Sequence, residues 1–151
     1  MQEVLLNNLW TRAKQQARKA TSAYNAWVTI IDSDGKPNNG PFKASRTCVM
    51  LDAKTLELTY GFDFYMYGQF MKFVPRGAIR IDSGKFEREF AHVAFKNPDG
   101  SFVLVVVNPK KEARQSVISW NGKILKAELP SQSVVTYRWN GSSNHTSSAL
   151  N

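Results

Sequence analysis

Between residues 47 and 139 the chain is a succession of short apolar runs, each the length of one strand, separated by turn-forming residues. "TCVML", "LELTY", "FDFYMY", "AIRI", "FAHVAF", "SFVLVVV", "SVISW", "KILKAEL" and "SVVTYRW" are rich in β-branched and aromatic side chains, which fit a pleated surface. Asn97-Pro98-Asp99-Gly100 supplies one turn. Asn121-Gly122, between two runs, is the pair that best tolerates the positive φ angles of a two-residue hairpin. In "SVVTYRW", Val135, Tyr137 and Trp139 alternate with Val134, Thr136 and Arg138, giving an apolar face and a mixed one. Many short strands with close turns predict an all-β fold, an antiparallel sandwich or a barrel.

The first third of the chain reads differently. Over residues 2–22, Leu6, Leu9, Trp10, Ala13, Ala17 and Ala20 recur at helical spacing, with Arg12, Lys14, Gln15, Arg18 and Lys19 on the opposite face. One amphipathic helix packed on a sheet is expected, a membrane or partner surface being the alternative. "WVTII", residues 27–31, is a continuous run of the kind found in strands covered on both faces. "DSDGKPNNGP" after it is a loop or a domain junction. The closing "NGSSNHTSSALN", residues 140–151, is uncharged and is expected to be a disordered tail. Its sequons at Asn140 and Asn144 matter only on a secretory route.

Composition narrows the functional classes. A chain of 151 residues with 42% hydrophobic content can bury one core, or one core and part of another. The net charge of +8 favours anionic partners, but the bases are scattered rather than blocked, so nucleic-acid binding is not expected. No apolar run approaches the length of a transmembrane segment. "MQEVLLNNLWTRAK" has neither the apolar core nor the cleavage site of a signal peptide. A chain complete at Met1 would default to the cytosol; otherwise the compartment is open. Cys48 is the only cysteine, so it forms no internal disulfide and reads as a small buried hydrophobe.

No constellation carries catalytic chemistry. His92 falls in an alternating strand and His145 in the tail, so neither a metal site nor a histidine-based triad is expected. No glycine-rich loop is spaced to cradle phosphates, and no cofactor is implied. Glu87 and Glu89 share a strand face in "KFEREF", but no opposing carboxyl or cleft accompanies them, so they read as surface charges. Lys72, Arg76 and Arg80, interleaved with Phe70 and Phe73, could form a stacking platform for single strands. Phe62, Phe64, Tyr65, Tyr67, Phe70 and Phe73 could instead line a sugar-binding face, or pack inward between sheets.

The segment carrying these aromatics, "DFYMYGQFMKFVPRGAIRI" (residues 63–81), resembles the C-terminal signature of glycoside hydrolase family 30, the glucosylceramidase type. That signature is an aromatic pair, Gly-x-Phe-Ser-Lys-Phe, a Pro/Gly turn and an Arg-containing strand. Three further segments agree in order: "WVTIIDSDGKPN", "HVAFKNPDGSFVLVVVN" and "LPSQSVVTYRW". The resemblance covers about residues 24–139. It implies that residues 1–32 are the last helix and strand of a (β/α)8 barrel, residues 33–139 the family's C-terminal β-sandwich, and residues 140–151 a tail outside it. Members hydrolyse β-glycosides with retention, using two barrel glutamates. Both positions lie upstream of the matching segment, so the resemblance implies no catalytic residue in this chain. Trp27, at the end of the last barrel strand, is the one residue it places at the substrate cleft. Met71 stands in place of the usual Ser, and Val28 in place of the commoner Asn after the tryptophan. The expected function is structural support of a parent glycosidase. The alternative is a stand-alone module binding a carbohydrate or glycolipid. The expected partners are the parent's catalytic barrel and a β-glycoside or glycolipid. Family members are usually secreted or lysosomal.

Overall fold

The structure, a computed structural model, describes residues 28–37, 47–84 and 90–141. The chain divides into two compact units, Met1–Phe73 and Val74–Asn151. The predicted N-terminal helix, Trp27, the Glu87 and Glu89 pair and the tail beyond Gly141 lie outside the described residues.

In the first unit three short strands, β1 (Ile30–Asp32), β2 (Val49–Leu51) and β3 (Leu58–Tyr60), form a sheet in that order. β1 runs parallel to β2, with Ile31 opposite Met50, and β2 antiparallel to β3. Aspartates shape the connections. The Asp32 carboxylate accepts from the N–H groups of Asp34 and Lys36, at 3.0 and 2.7 Å. The Asp52 carboxylate accepts from those of Lys54 and Thr55, each at 2.8 Å. Such Asx turns reverse the chain by giving its donors a local acceptor.

The expectation of a doubly covered strand at residues 27–31 is only partly met. The strand begins at Ile30, and although Ile31 is 2% exposed, Ile30 is 47% exposed. Among the described residues β1 has one strand neighbour, β2.

A second correction concerns "FDFYMY". It is not a strand but the start of helix α1 (Phe62–Met71). Phe62, Met66, Phe70 and Phe73 recur at spacings of four and three, the period of a helix. Gly61 enters in an extended conformation, Asp63 sits in the first turn where the helix dipole favours an anion, and Pro75 follows the last turn. Local helical spacing outweighed the strand preference of the aromatics.

The second unit contains a four-stranded antiparallel sheet in the order β4 (Ile79–Ile81), β5 (Ala91–Lys96), β6 (Ser101–Asn108) and β9 (Ser133–Asn140). The hairpin β7 (Arg114–Trp120) and β8 (Lys123–Leu129) forms a separate two-stranded sheet. Its link is Asn121-Gly122, with φ values of 47° and 74°, the two positive angles that a primed turn requires. The core lies on β5 and β6: Ala91, Val93, Ala94, Val103, Val105, Val106 and Val107 are all buried. Adjacent buried residues in "VVV" mean that β6 is covered on both faces, which explains its unbroken apolar run. The hairpin packs on the face carrying Phe102 and Trp139, where the Trp120 ring lies 4.2 Å from that of Phe102. These facing antiparallel sheets make the expected all-β sandwich.

Candidate functional site

The sequence nominated one site residue, Trp27, which falls outside the described residues.

The aromatics of residues 62–73 are carried by α1, so they do not alternate across a sheet as expected. Met66 is buried, and Phe62, Tyr67, Phe70 and Phe73 are half-buried as packing residues. Phe64 and Tyr65 are 43% and 59% exposed. Their rings meet edge to face at 5.4 Å, and Phe64 lies 4.7 Å from the ring of Tyr60, itself exposed on β3. These three rings form an accessible aromatic patch.

Lys72 lies in the first unit, its Nζ 5.6 Å from the centre of the Phe73 ring, whereas Arg76 and Arg80 belong to the second. Pro75 and Gly77 make the expected turn: the Ala78 N–H donates to Pro75 O at 3.1 Å, and Gly77 has φ +83°. Arg80 follows on β4.

His92 is half-buried on β5, with Nδ1 2.9 Å from Ser83 Oγ. Among the described residues no three His, Cys, Asp or Glu side chains are grouped to hold a metal ion. Cys48 is buried as expected. Burial, reinforced by the negative charge of Asp63, pushes its thiol pKa up. That withholds the thiolate, the nucleophilic form, at neutral pH.

Sequence reasoning missed a polar and aromatic assembly at one end of the sandwich. Asp99, in the β5–β6 turn, accepts at Oδ1 from the backbone N–H and the hydroxyl of Ser101, at 2.9 and 2.6 Å. Its Oδ2 accepts from Arg138 Nη2 at 2.9 Å, joining the β5–β6 turn to β9. The Ser101 hydrogen bonds first, and then Arg138, hold the Asp99 carboxyl below its ordinary pKa. Beside this turn Phe102, Trp120 and Trp139 cluster, with ring centres 4.2 to 6.0 Å apart. Trp120 Nε1 and Trp139 Nε1 are buried and have no hydrogen-bond partner among the described residues, so packing alone holds these rings. An open groove of about 370 Å³ runs past them, lined by Lys96, Asp99, Phe102, Trp120, Asn121 and Asn140 together with two glycines. The register pairs of Phe102 with Trp139 and of Trp120 with Lys123 bring these residues together, and single-strand patterns do not reveal such pairings.

Comparison with known proteins places this architecture. Residues 77–137 match the glycosyl hydrolase family 30 beta sandwich domain. The chain is 30% identical over 114 residues to putative glucosylceramidase 1 of Caenorhabditis elegans, covering 66% of this chain and 20% of that protein. It is 37% identical over 78 residues to lysosomal acid glucosylceramidase of Mus musculus, covering 50% of this chain and 15% of that protein. Among solved structures, SrfJ from Salmonella typhimurium superposes with a TM-score of 0.70 at 27% identity, over 75% of this chain and 25% of that one. The chain thus spans a quarter or less of the length of each of these relatives. With its facing sheets, its Pro-Gly junction and this match, the chain carries the C-terminal β-sandwich region of glycoside hydrolase family 30.

Proposed function

We propose that this chain is the sandwich portion of a glucosylceramidase-like β-glycoside hydrolase, that it supports a catalytic (β/α)8 barrel, and that it does not hydrolyse glycosides by itself. The observation that carries this reading is the match of residues 77–137 to the sandwich domain, in a chain covering only 20% and 15% of two glucosylceramidase relatives. The first unit supplies the complementary support. β1 has a single strand neighbour among the described residues, and Ile30, Met50, Leu58 and Tyr60 around it are exposed. A parallel strand ordinarily has neighbours on both edges and cover on both faces. A barrel wall would supply both. On this reading the barrel-derived portion includes residues 1–32, and the unit boundary at Phe73 favours extending it through α1. Trp27 would then face the cleft of the assembled enzyme, and residues 140–151 would be a tail outside the sandwich.

The test is turnover of an aryl β-glucoside and of glucosylceramide by the purified chain, with and without a separately produced family 30 barrel. No hydrolysis is expected from the chain alone, together with stable co-purification with the barrel. Clear hydrolysis by the chain alone would overturn the reading.

A second reading is a stand-alone carbohydrate- or glycolipid-binding module, favoured by the exposed Tyr60, Phe64 and Tyr65 patch. Titration with glucosylceramide in micelles separates the two. A module of this kind saturates and loses binding in Tyr65→Ala, whereas a scaffold shows no binding that depends on Tyr65.

A further inference from the structure

The groove at the end of the sandwich has a chemistry that the scaffold reading does not use. Phe102 and Trp120 line it with aromatic surface, and Asn121 and Asn140 line it with amides. Its two charged lining residues, Lys96 and Asp99, are of opposite sign, so the groove is close to neutral overall. Asp99 is further compensated by Arg138 at 2.9 Å. We propose that this groove binds one hexopyranose unit of a neutral glycan.

A pyranose presents an apolar C–H face, weakly positive, which suits the negative face of an aromatic ring. Its rim of hydroxyls both donates and accepts, and each asparagine amide offers both functions. Lys96 adds donors, and Asp99 adds an acceptor already fixed by Ser101. A volume of about 370 Å³ lies at the small end of ligand sites, enough for one ring rather than a long chain. The backbone is fixed on both sides, by the Asn121-Gly122 turn and by the pairing of Asn140 with Ser101, so the lining groups are set before a ligand arrives.

The inference does not depend on the scaffold reading, which stands whether or not the groove binds sugar. The experiment is a titration of the isotope-labelled full chain with cellobiose and with laminaritriose, followed by NMR. Saturable shifts are expected at the Trp120 indole and at the amides of Asn121 and Gly141. Trp120→Ala should weaken binding about tenfold, and Trp120→Phe should retain part of it. Because Trp120→Ala removes packing, Asn121→Gly provides a second variant that keeps the turn while deleting an amide, and it too should weaken binding. Absence of saturable shifts would overturn the proposal, as would binding unchanged by both Trp120→Ala and Asn121→Gly. So would a result in which residues 142–151 prove to be the occupant, with their deletion moving the same resonances while sugar moves none.

Discussion

Asn108 ends β6 fully buried, and its amide links three segments of the second unit. Its Nδ2 donates toward the carbonyls of Glu112 at 3.0 Å, Leu129 at 3.3 Å and Pro130 at 2.8 Å, while Oδ1 accepts from the Lys110 N–H at 3.0 Å. Removing the side chain leaves buried carbonyls without a donor, and each unsatisfied group costs about 1–3 kcal/mol. Asn108→Ala should therefore lower stability by roughly 2–4 kcal/mol, read from urea unfolding. Asn108→Asp should be at least as damaging, because a carboxylate would face three carbonyl oxygens. An aspartate variant as stable as the parent would refute this role. Asp99 gives a pH prediction. Its folded pKa is depressed, mainly by Ser101, so its contribution is present above the unfolded carboxylate value of about 3.9. That contribution is lost as pH falls through the lower folded value. Asp99→Asn should flatten the acid limb of the stability curve below about pH 4 while changing little of its shape at neutral pH. Arg138→Ala should have the smaller effect on that limb, since Ser101 makes the dominant hydrogen bonds.

At the level of elements, the turns carry the register. Gly122 has φ +74°, and a Cβ there would meet nothing within 4 Å, so Gly122→Ala should cost only the backbone strain, about 1 kcal/mol. Gly77 has φ +83°, and its Cβ would also approach Pro98 Cγ at 3.2 Å. Gly77→Ala should therefore destabilise more than Gly122→Ala, which paired thermal melts can rank. Equal melting temperatures would show that Pro98 gives way freely. In helix α1 two periods compete. In "FDFYMY" alternating aromatics satisfy a period of two, and only a longer window exposes the Phe62, Met66, Phe70 and Phe73 spacing that a helix needs. The hairpin was legible because Asn121-Gly122 encodes its turn chemically, without help from distant contacts.

For the whole molecule, the two units differ in what they leave exposed. Ile30, Met50, Leu56, Leu58, Tyr60, Phe64, Tyr65 and Met71 of the first unit are all exposed, and among the described residues β1 has one open edge. Apolar surface of this kind beside an unpaired strand edge favours association. The isolated chain should therefore show a concentration-dependent sedimentation coefficient, reduced by Leu58→Lys or by adding a family 30 barrel. A monomer independent of concentration would count against an uncovered barrel face. Among the described residues no helix is long and apolar enough to cross a membrane.

By itself the sequence determined the strand-rich class, the hairpin at Asn121-Gly122, the Pro75-Gly77 junction, the burial of Cys48 and the family. All of these rest on local turn chemistry, on period-two patterning or on short ordered motifs. Only the tertiary structure decided that α1 is a helix, that Ile31 is buried while Ile30 is exposed, and that Phe102, Trp120, Asn121 and Asn140 share a groove. Those outcomes depend on which strands pair and in what register, and pairing between segments distant in sequence is set by the packing of the whole sheet, which no single run of residues encodes.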